Sequence, residues 1–187
     1  MATRSFIGIE KNNGEYFGVY CHCDGYLTHN GAILIDHYNS KARVEKLLKL
    51  GNLSYLGQKI DPDPDYTHSF SKPQEGVVIA YGRDRGEEDV AGKETTLEAI
   101  NDDPWIDYAY FFGKDGKWKY FTHGDLKEKG LRDLEQGLEE EFKGIGIRRP
   151  EGVYGYYPPQ FVRKLKQLQK EEDEAAKSKK AKSGPSL

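Results

Sequence analysis

Two aromatic strand pairs, each closed by a turn that tolerates positive φ, constrain this chain more than any other feature. "SFIGIEK" and "EYFGVYCHC" are apolar runs joined by "NNG", and "WIDYAYFFGKDGKWKYFTH" places aromatic strands on either side of "KDG". Asn-Gly and Asp-Gly turns match the twist of paired strands, so both stretches read as β-hairpins. Side chains alternate across a strand, so Phe17, Val19, Cys21 and Cys23 share one face while Tyr16, Tyr20, His22 and Asp24 share the other. The first face is the more apolar and is expected to be the core face. That places both thiols in the core as packing residues and sends His22 and Asp24 the other way.

Helical signals surround these strands. "THNGAILIDHY" and "SKARVEKLLKLGN" read as helices. In the second, Ser40 is the N-cap, Val44, Leu47 and Leu48 form an apolar stripe, and Gly51 is the stop. "IDPDPDYTHSFSKPQ" is expected to be a loop, since alternating Pro and Asp continue neither regular structure. "GVVIAY" reads as a strand, "GRDRGEED" as a charged turn, and "TTLEAIN" as a short helix opened by a Thr95–Glu98 capping box. Further on, Leu131, Leu134, Leu138 and Phe142, then Phe161, Leu165 and Leu168, recur at helical spacing. The expected fold is α+β: a small, mostly antiparallel sheet with packed helices over residues 1–123, a helical extension over 124–174, and a disordered tail over 175–187.

Composition narrows the function classes. Charged residues make up 32% of the 187 and aromatic residues 12%, so the chain is neither a membrane protein nor mainly disordered. No apolar run approaches the roughly 20 residues needed to cross a bilayer. "MATRSFIGIE" lacks the apolar stretch of a signal peptide, and two cysteines two residues apart offer no disulfide framework. The expectation is a cytoplasmic protein with no membrane partner.

One short run concentrates the reactive side chains. "VYCHCDGYLTHNGAILIDHYN" holds three of the five histidines, both cysteines and two aspartates. If extended, His22 and Asp24 project the same way about 7 Å apart. With His37 from the following helix they make a workable set for a divalent metal, although the spacing matches no established ligand motif. Without a metal, His22, Asp24 and Tyr26 remain candidates for a polar ligand site, and His29 and Asp36 lie nearby in sequence. In "AYGRDRGEED", Arg83 and Arg85 form a fork suited to phosphate or carboxylate, with Tyr81 beside it. If the strands ending at Cys23 and Tyr81 are parallel neighbours, His22, Asp24, Arg83 and Arg85 converge on one anion pocket. If they are antiparallel, the two turns lie at opposite ends.

With "YCHCDGYLTHNGAILIDHYN", "VEKLLKLGNLSYLG" and "AYGRDRGE" in that order, residues 1–123 resemble a family of small proteins encoded by bacteriophages and prophages. The family pattern carries an aromatic residue at Cys23 and a proline at Leu27, where this chain departs from it. The resemblance carries over no catalytic residue. It implies an accessory protein of a virus or mobile element acting in the bacterial host cytoplasm, on a host defence protein or its nucleotide signal. In that reading Tyr20, Tyr26 and Tyr81 stack on a base while Arg83 and Arg85 hold phosphate, and no cofactor is needed. Two other readings stay open. One is a metal-dependent phosphoesterase or nuclease using His22, Asp24 and His37. The other is nucleic-acid binding through the basic end of the C-terminal helix, at Lys177, Lys179, Lys180 and Lys182. Oligomeric state is not legible.

Overall fold

A computed structural model describes residues 2–184. Eight strands form one mixed sheet: β1 (Ser5–Glu10), β2 (Tyr16–Cys21), β3 (Leu53–Tyr55), β4 (Ile79–Ala80), β5 (Lys93–Thr95), β6 (Tyr108–Phe112), β7 (Trp118–Thr122) and β8 (Arg132–Asp133). Their order is β4-β3-β2-β1-β6-β7-β8, with β5 also paired to β2. The two hairpins expected from the sequence are β1–β2 and β6–β7, and they join side by side through a parallel β1–β6 contact. The second parallel pairing is β2–β3; the remaining pairings are antiparallel. The fold is α+β.

Two apolar layers cover this sheet. On the first face, Ile7, Val19, Cys21, Leu53 and Tyr110 pack under α1 (Ala32–His37), α2 (Lys41–Leu48) and α6 (Leu134–Ile145). Leu134, Leu138 and Phe142 of α6 belong to the same buried cluster as Ile33 and Leu34 of α1. On the second face, Phe6, Phe111 and Phe121 pack with Ile100 of α4 (Leu97–Asn101), while Leu126 of α5 (Leu126–Lys129) and Leu131 lean against them. The facing pair Gly8 and Gly18 makes room for those rings. A Cβ on Gly18 would stand 2.5 Å from the Phe6 ring and one on Gly8 3.1 Å from Phe111. At this point the two strands carry aromatic cover in place of their own side chains.

Local signals mostly hold, with informative shifts. Ser40 caps α2 by accepting the Arg43 N–H, and Gly51 follows at φ +75°. The α4 cap is Thr96, which accepts from Ala99 N–H, because Thr95 is occupied in β5. Of "GVVIAY" only Ile79–Ala80 pairs as a strand, with Val77 bridging Lys59. The charged turn that follows is instead a helical turn, α3 (Tyr81–Arg85), closed by Gly86 at φ +71°. The Asp84 carboxylate reaches back to accept the Ala80 N–H at 2.7 Å, which local charge patterning did not reveal. The helix expected from Thr28 opens with a π-helical turn, Leu27–Gly31, before α1. The last helix, α7 (Pro159–Lys182), runs through Ala175, where a disordered tail was expected to start; residues 185–187 of that tail lie outside the described residues. Phe161, Val162 and Leu165 dock against the first-face core, and residues 171–184 are exposed. Among the described residues no helix is long and apolar enough to cross a membrane.

Candidate functional site

The topology separates the residues expected to converge. β3 lies between β2 and β4; it runs parallel to β2 and antiparallel to β4. The two exits therefore point to opposite ends, and the shared pocket of His22, Asp24, Arg83 and Arg85 does not form as drawn. β2 also stops at Cys21. His22 and Cys23 continue alongside β3 through backbone bonds to Leu53 and Ser54, but Asp24 turns to φ +55° and breaks the alternation. Its carboxylate accepts from the Tyr26 hydroxyl at 3.2 Å. Cys23 ends half-buried, whereas Cys21 is fully buried with its thiol pushed up to about 12, chiefly by burial.

The metal set disperses in the same way. His22 Nδ1 pairs with the Tyr20 hydroxyl at 2.7 Å, Asp24 with Tyr26, and His37 Nε2 with the Tyr154 hydroxyl at 2.8 Å. Tyr154 donates onward to Asp36, which also receives Arg149, so this group ties the connector before α7 to α1. Among the described residues no three His, Cys, Asp or Glu side chains gather in ligating range. His29 is buried, with Nδ1 at 2.9 Å from Asn30 Oδ1 and Nε2 at 3.2 Å from the Tyr55 hydroxyl. Burial lowers its pKa, so it is held neutral. Tyr26 packs edge-on to that imidazole, and burial, with Asp24 adding to it, pushes its phenol up to about 12.

The two arginines of α3 also part. Arg83 donates to Asp84 Oδ1 at 2.8 Å, to Ile60 O at 2.7 Å and to Val78 O at 2.7 Å. Asp84 is only 3% exposed. Burial pushes its carboxyl up, but Arg83 and the Ala80 amide outweigh that and hold it below the usual range. Arg83 is thus a structural clamp rather than a ligand hand. Arg85 leans back over the sheet. Its guanidinium lies 4.4 Å from the Tyr81 ring and 4.5 Å from the Phe70 ring, and donates to Ser54 Oγ at 3.2 Å. Glu87 meets its outer edge at 2.7 Å.

Side-chain alternation puts these groups on one face. Leu53 and Ala80 pair level with Cys21 on the first face, so Ser54, Tyr81 and His22 belong to the second, with Tyr20. The Tyr20 phenol is raised by burial and by Tyr81, against the opposing pull of Arg4. Tyr20 and Tyr81 flank Asn52, which accepts from the Tyr20 N–H with its side chain and from the Tyr81 N–H with its carbonyl, and on the β1 side Arg4 lies over Trp105 at 5.0 Å. Away from the cover of α4 and α5, the second face presents Arg4, Tyr20, His22, Tyr81 and Arg85, flanked by Trp105 and Phe70, 63% and 53% exposed. Exposed aromatic side chains held under arginines are the composition of a recognition surface rather than of plain solvent cover.

Sequence reasoning found Tyr20, His22, Tyr81 and Arg85 but missed Arg4, Ser54, Phe70 and Trp105. Arg4 was within reach, because extending the β1–β2 register by one pair sets it opposite His22. Phe70 sits in a loop without periodicity and gave no signal. A groove of about 700 Å³ between α6 and α7 is an alternative. Its arginines are already committed, Arg148 to Glu172 and Asp173 and Arg149 to Asp36. Comparison with family models, with curated proteins and with solved structures gives no match.

Proposed function

We propose that this protein acts by binding rather than by catalysis, holding an anionic, nucleotide-like ligand on the second face of its sheet. The observation that carries this reading is the seat of Arg85. Its guanidinium lies over the rings of both Tyr81 and Phe70, while its N–H groups reach Ser54 and an exposed carboxylate, Glu87. A guanidinium fixed in this way presents donors in a set plane, which suits the paired oxygens of a phosphate. Tyr20, Tyr81 and His22 supply rings on which a base stacks. A phosphate would displace the exposed Glu87 carboxylate from Arg85.

The resemblance of residues 1–123 to phage and prophage proteins gives this binding a setting. The protein is then an accessory factor of a virus or mobile element that interferes with a host defence by capturing its nucleotide signal. Thermal-shift titration with a panel of mononucleotides tests the binding step. Stabilisation of the wild-type protein that is lost in Arg85→Ala and kept in Lys170→Ala supports the reading, and equal shifts in both variants overturn it.

A further inference from the structure

The face carries two cation–aromatic pairs, not one. Arg85 lies between Tyr81 and Phe70 at the β4 side, and Arg4 lies over Trp105 at the β1 side. Trp105 and Phe70 are the two most exposed aromatic side chains outside the connector before α7. Adjacent strands join the two: Tyr20 N–H donates to the Asn52 side chain, the Asn52 carbonyl accepts the Tyr81 N–H, and Arg4 extends the β1–β2 register opposite His22. No carboxylate side chain within the described residues pairs with the Arg4 guanidinium; Asp107 beside it accepts the Arg4 backbone N–H instead. Among the described residues, Glu87 is the carboxylate that pairs with Arg85.

Spacing decides what such a surface fits. Arg4 precedes β1 and Tyr81 follows β4, three strand intervals or about 14 Å apart at the usual separation of neighbouring strands, while Arg85 reaches back from there to Ser54 of β3. One nucleotide does not bridge that distance, whereas at a rise of roughly 3.4 Å per stacked base a strand of about four does. A duplex is a poor occupant, because its bases are already stacked on each other and offer no free ring to Tyr20 or Tyr81. Rings interleaved with arginines along a sheet face are the chemistry that takes unpaired bases and their phosphates.

We infer that the ligand is a short single strand of nucleic acid, laid across the strands from Trp105 and Arg4, over Tyr20 and His22, to Tyr81, Arg85 and Phe70. The inference rests on the reading of this face as a nucleotide-binding surface and fixes the size of what it holds. Phosphates at the two ends of the segment meet Arg4 and Arg85, and the bases between them meet Tyr20 and Tyr81. The lysines at the end of α7 take no part in the contact.

Fluorescence anisotropy with labelled homopolymers of one to eight nucleotides, as RNA and as DNA, tests this on the full chain. The expected result is affinity that rises at least tenfold from one nucleotide to about four and then levels off. Two phosphate contacts give a slope of log affinity against log salt near −1.4, and Arg4→Ala or Arg85→Ala each brings it to about −0.7. Glu87→Gln should tighten binding several-fold, which a variant that merely unfolds cannot do. Equal affinity for a mononucleotide and a tetranucleotide would overturn the strand while leaving nucleotide binding in place. Absence of binding to either would overturn both. Binding that survives Arg4→Ala and Arg85→Ala but is lost when Lys177, Lys179, Lys180 and Lys182 are all changed to Gln would move the site to α7 and overturn the inference.

Discussion

Arg83 and Arg85 leave the same helical turn in opposite roles, one turned inward to the Ile60 and Val78 carbonyls and the other laid over the Tyr81 and Phe70 rings. The two positions therefore separate folding from function. Arg83→Ala strips the Ile60 carbonyl of its donor, leaves Val78 O to His68 alone, and leaves the nearly buried Asp84 carboxylate with the Ala80 amide and His68 but no permanent cation. The expected cost is about 2 to 4 kcal/mol, in the range for breaking a largely buried, hydrogen-bonded pair. Arg85→Ala exposes little and should cost under about 1 kcal/mol. Urea denaturation of both variants checks the contrast, and equal losses would contradict it.

The two cysteines should also behave differently. Cys21 has no exposed surface and a thiol pushed up to about 12, so it should resist labelling in the folded state. Cys21→Ala removes a buried sulfur from a packed face and should cost about 1 to 3 kcal/mol. Cys23, beyond the strand end and half-buried, should label first and cost less. Mass spectrometry after a timed pulse of a thiol reagent reads the order directly, and faster labelling at Cys21 would contradict the burial.

Acid sensitivity has an identifiable source above the carboxylate range. The His29 pKa is lowered by burial, and His37 is lowered in the same direction, so the unfolded chain binds protons that the folded one refuses. Stability is then full above the unfolded value near 6.5 and falls as pH drops below it, by at most about 1.4 kcal/mol per pH unit for each group. His29→Gln should flatten part of that slope between pH 6.5 and 5. Melting temperatures measured across this window test it, and an unchanged slope in the variant would remove His29 as the cause.

The exposed end of α7 should be separable from the fold. No side chain from Glu174 to Lys182 is buried, and the ion pairs of Arg148 with Glu172 and Asp173 lie before the cut. Removing residues 175–187 should leave the melting temperature within about 2 °C while lowering the helical signal in circular dichroism. A larger drop would show that this end packs on something.

Local chemistry made much of the fold legible. Both hairpins, the Ser40 cap, the Gly51 stop and the α6 stripe follow from turn residues and periodicity acting over a few positions. The misplaced features depend on distant partners. Whether Asp24 continues the strand is decided by Tyr26 and by the Gly25 amide bonding Thr3, and the length of β4 is decided by β3. The site was half legible for the same reason. Alternation along β2 assigned Tyr20 and His22 to the correct face. Only the pairing order, with β3 between β2 and β4, shows that Arg85 joins them while Arg83 and Asp24 do not.

Strand binding on this face is read most directly by a chemical-shift map of the full chain titrated with a tetranucleotide. The largest changes are expected on the backbone amides of Tyr20, His22, Ser54, Tyr81 and Arg85 and on the Trp105 indole N–H, with His29, His37 and the α6–α7 groove unmoved. Changes confined to the groove around Lys166 and Lys170, to the Tyr26–His29 pair or to the lysines of α7, or no change at saturating ligand, would contradict it.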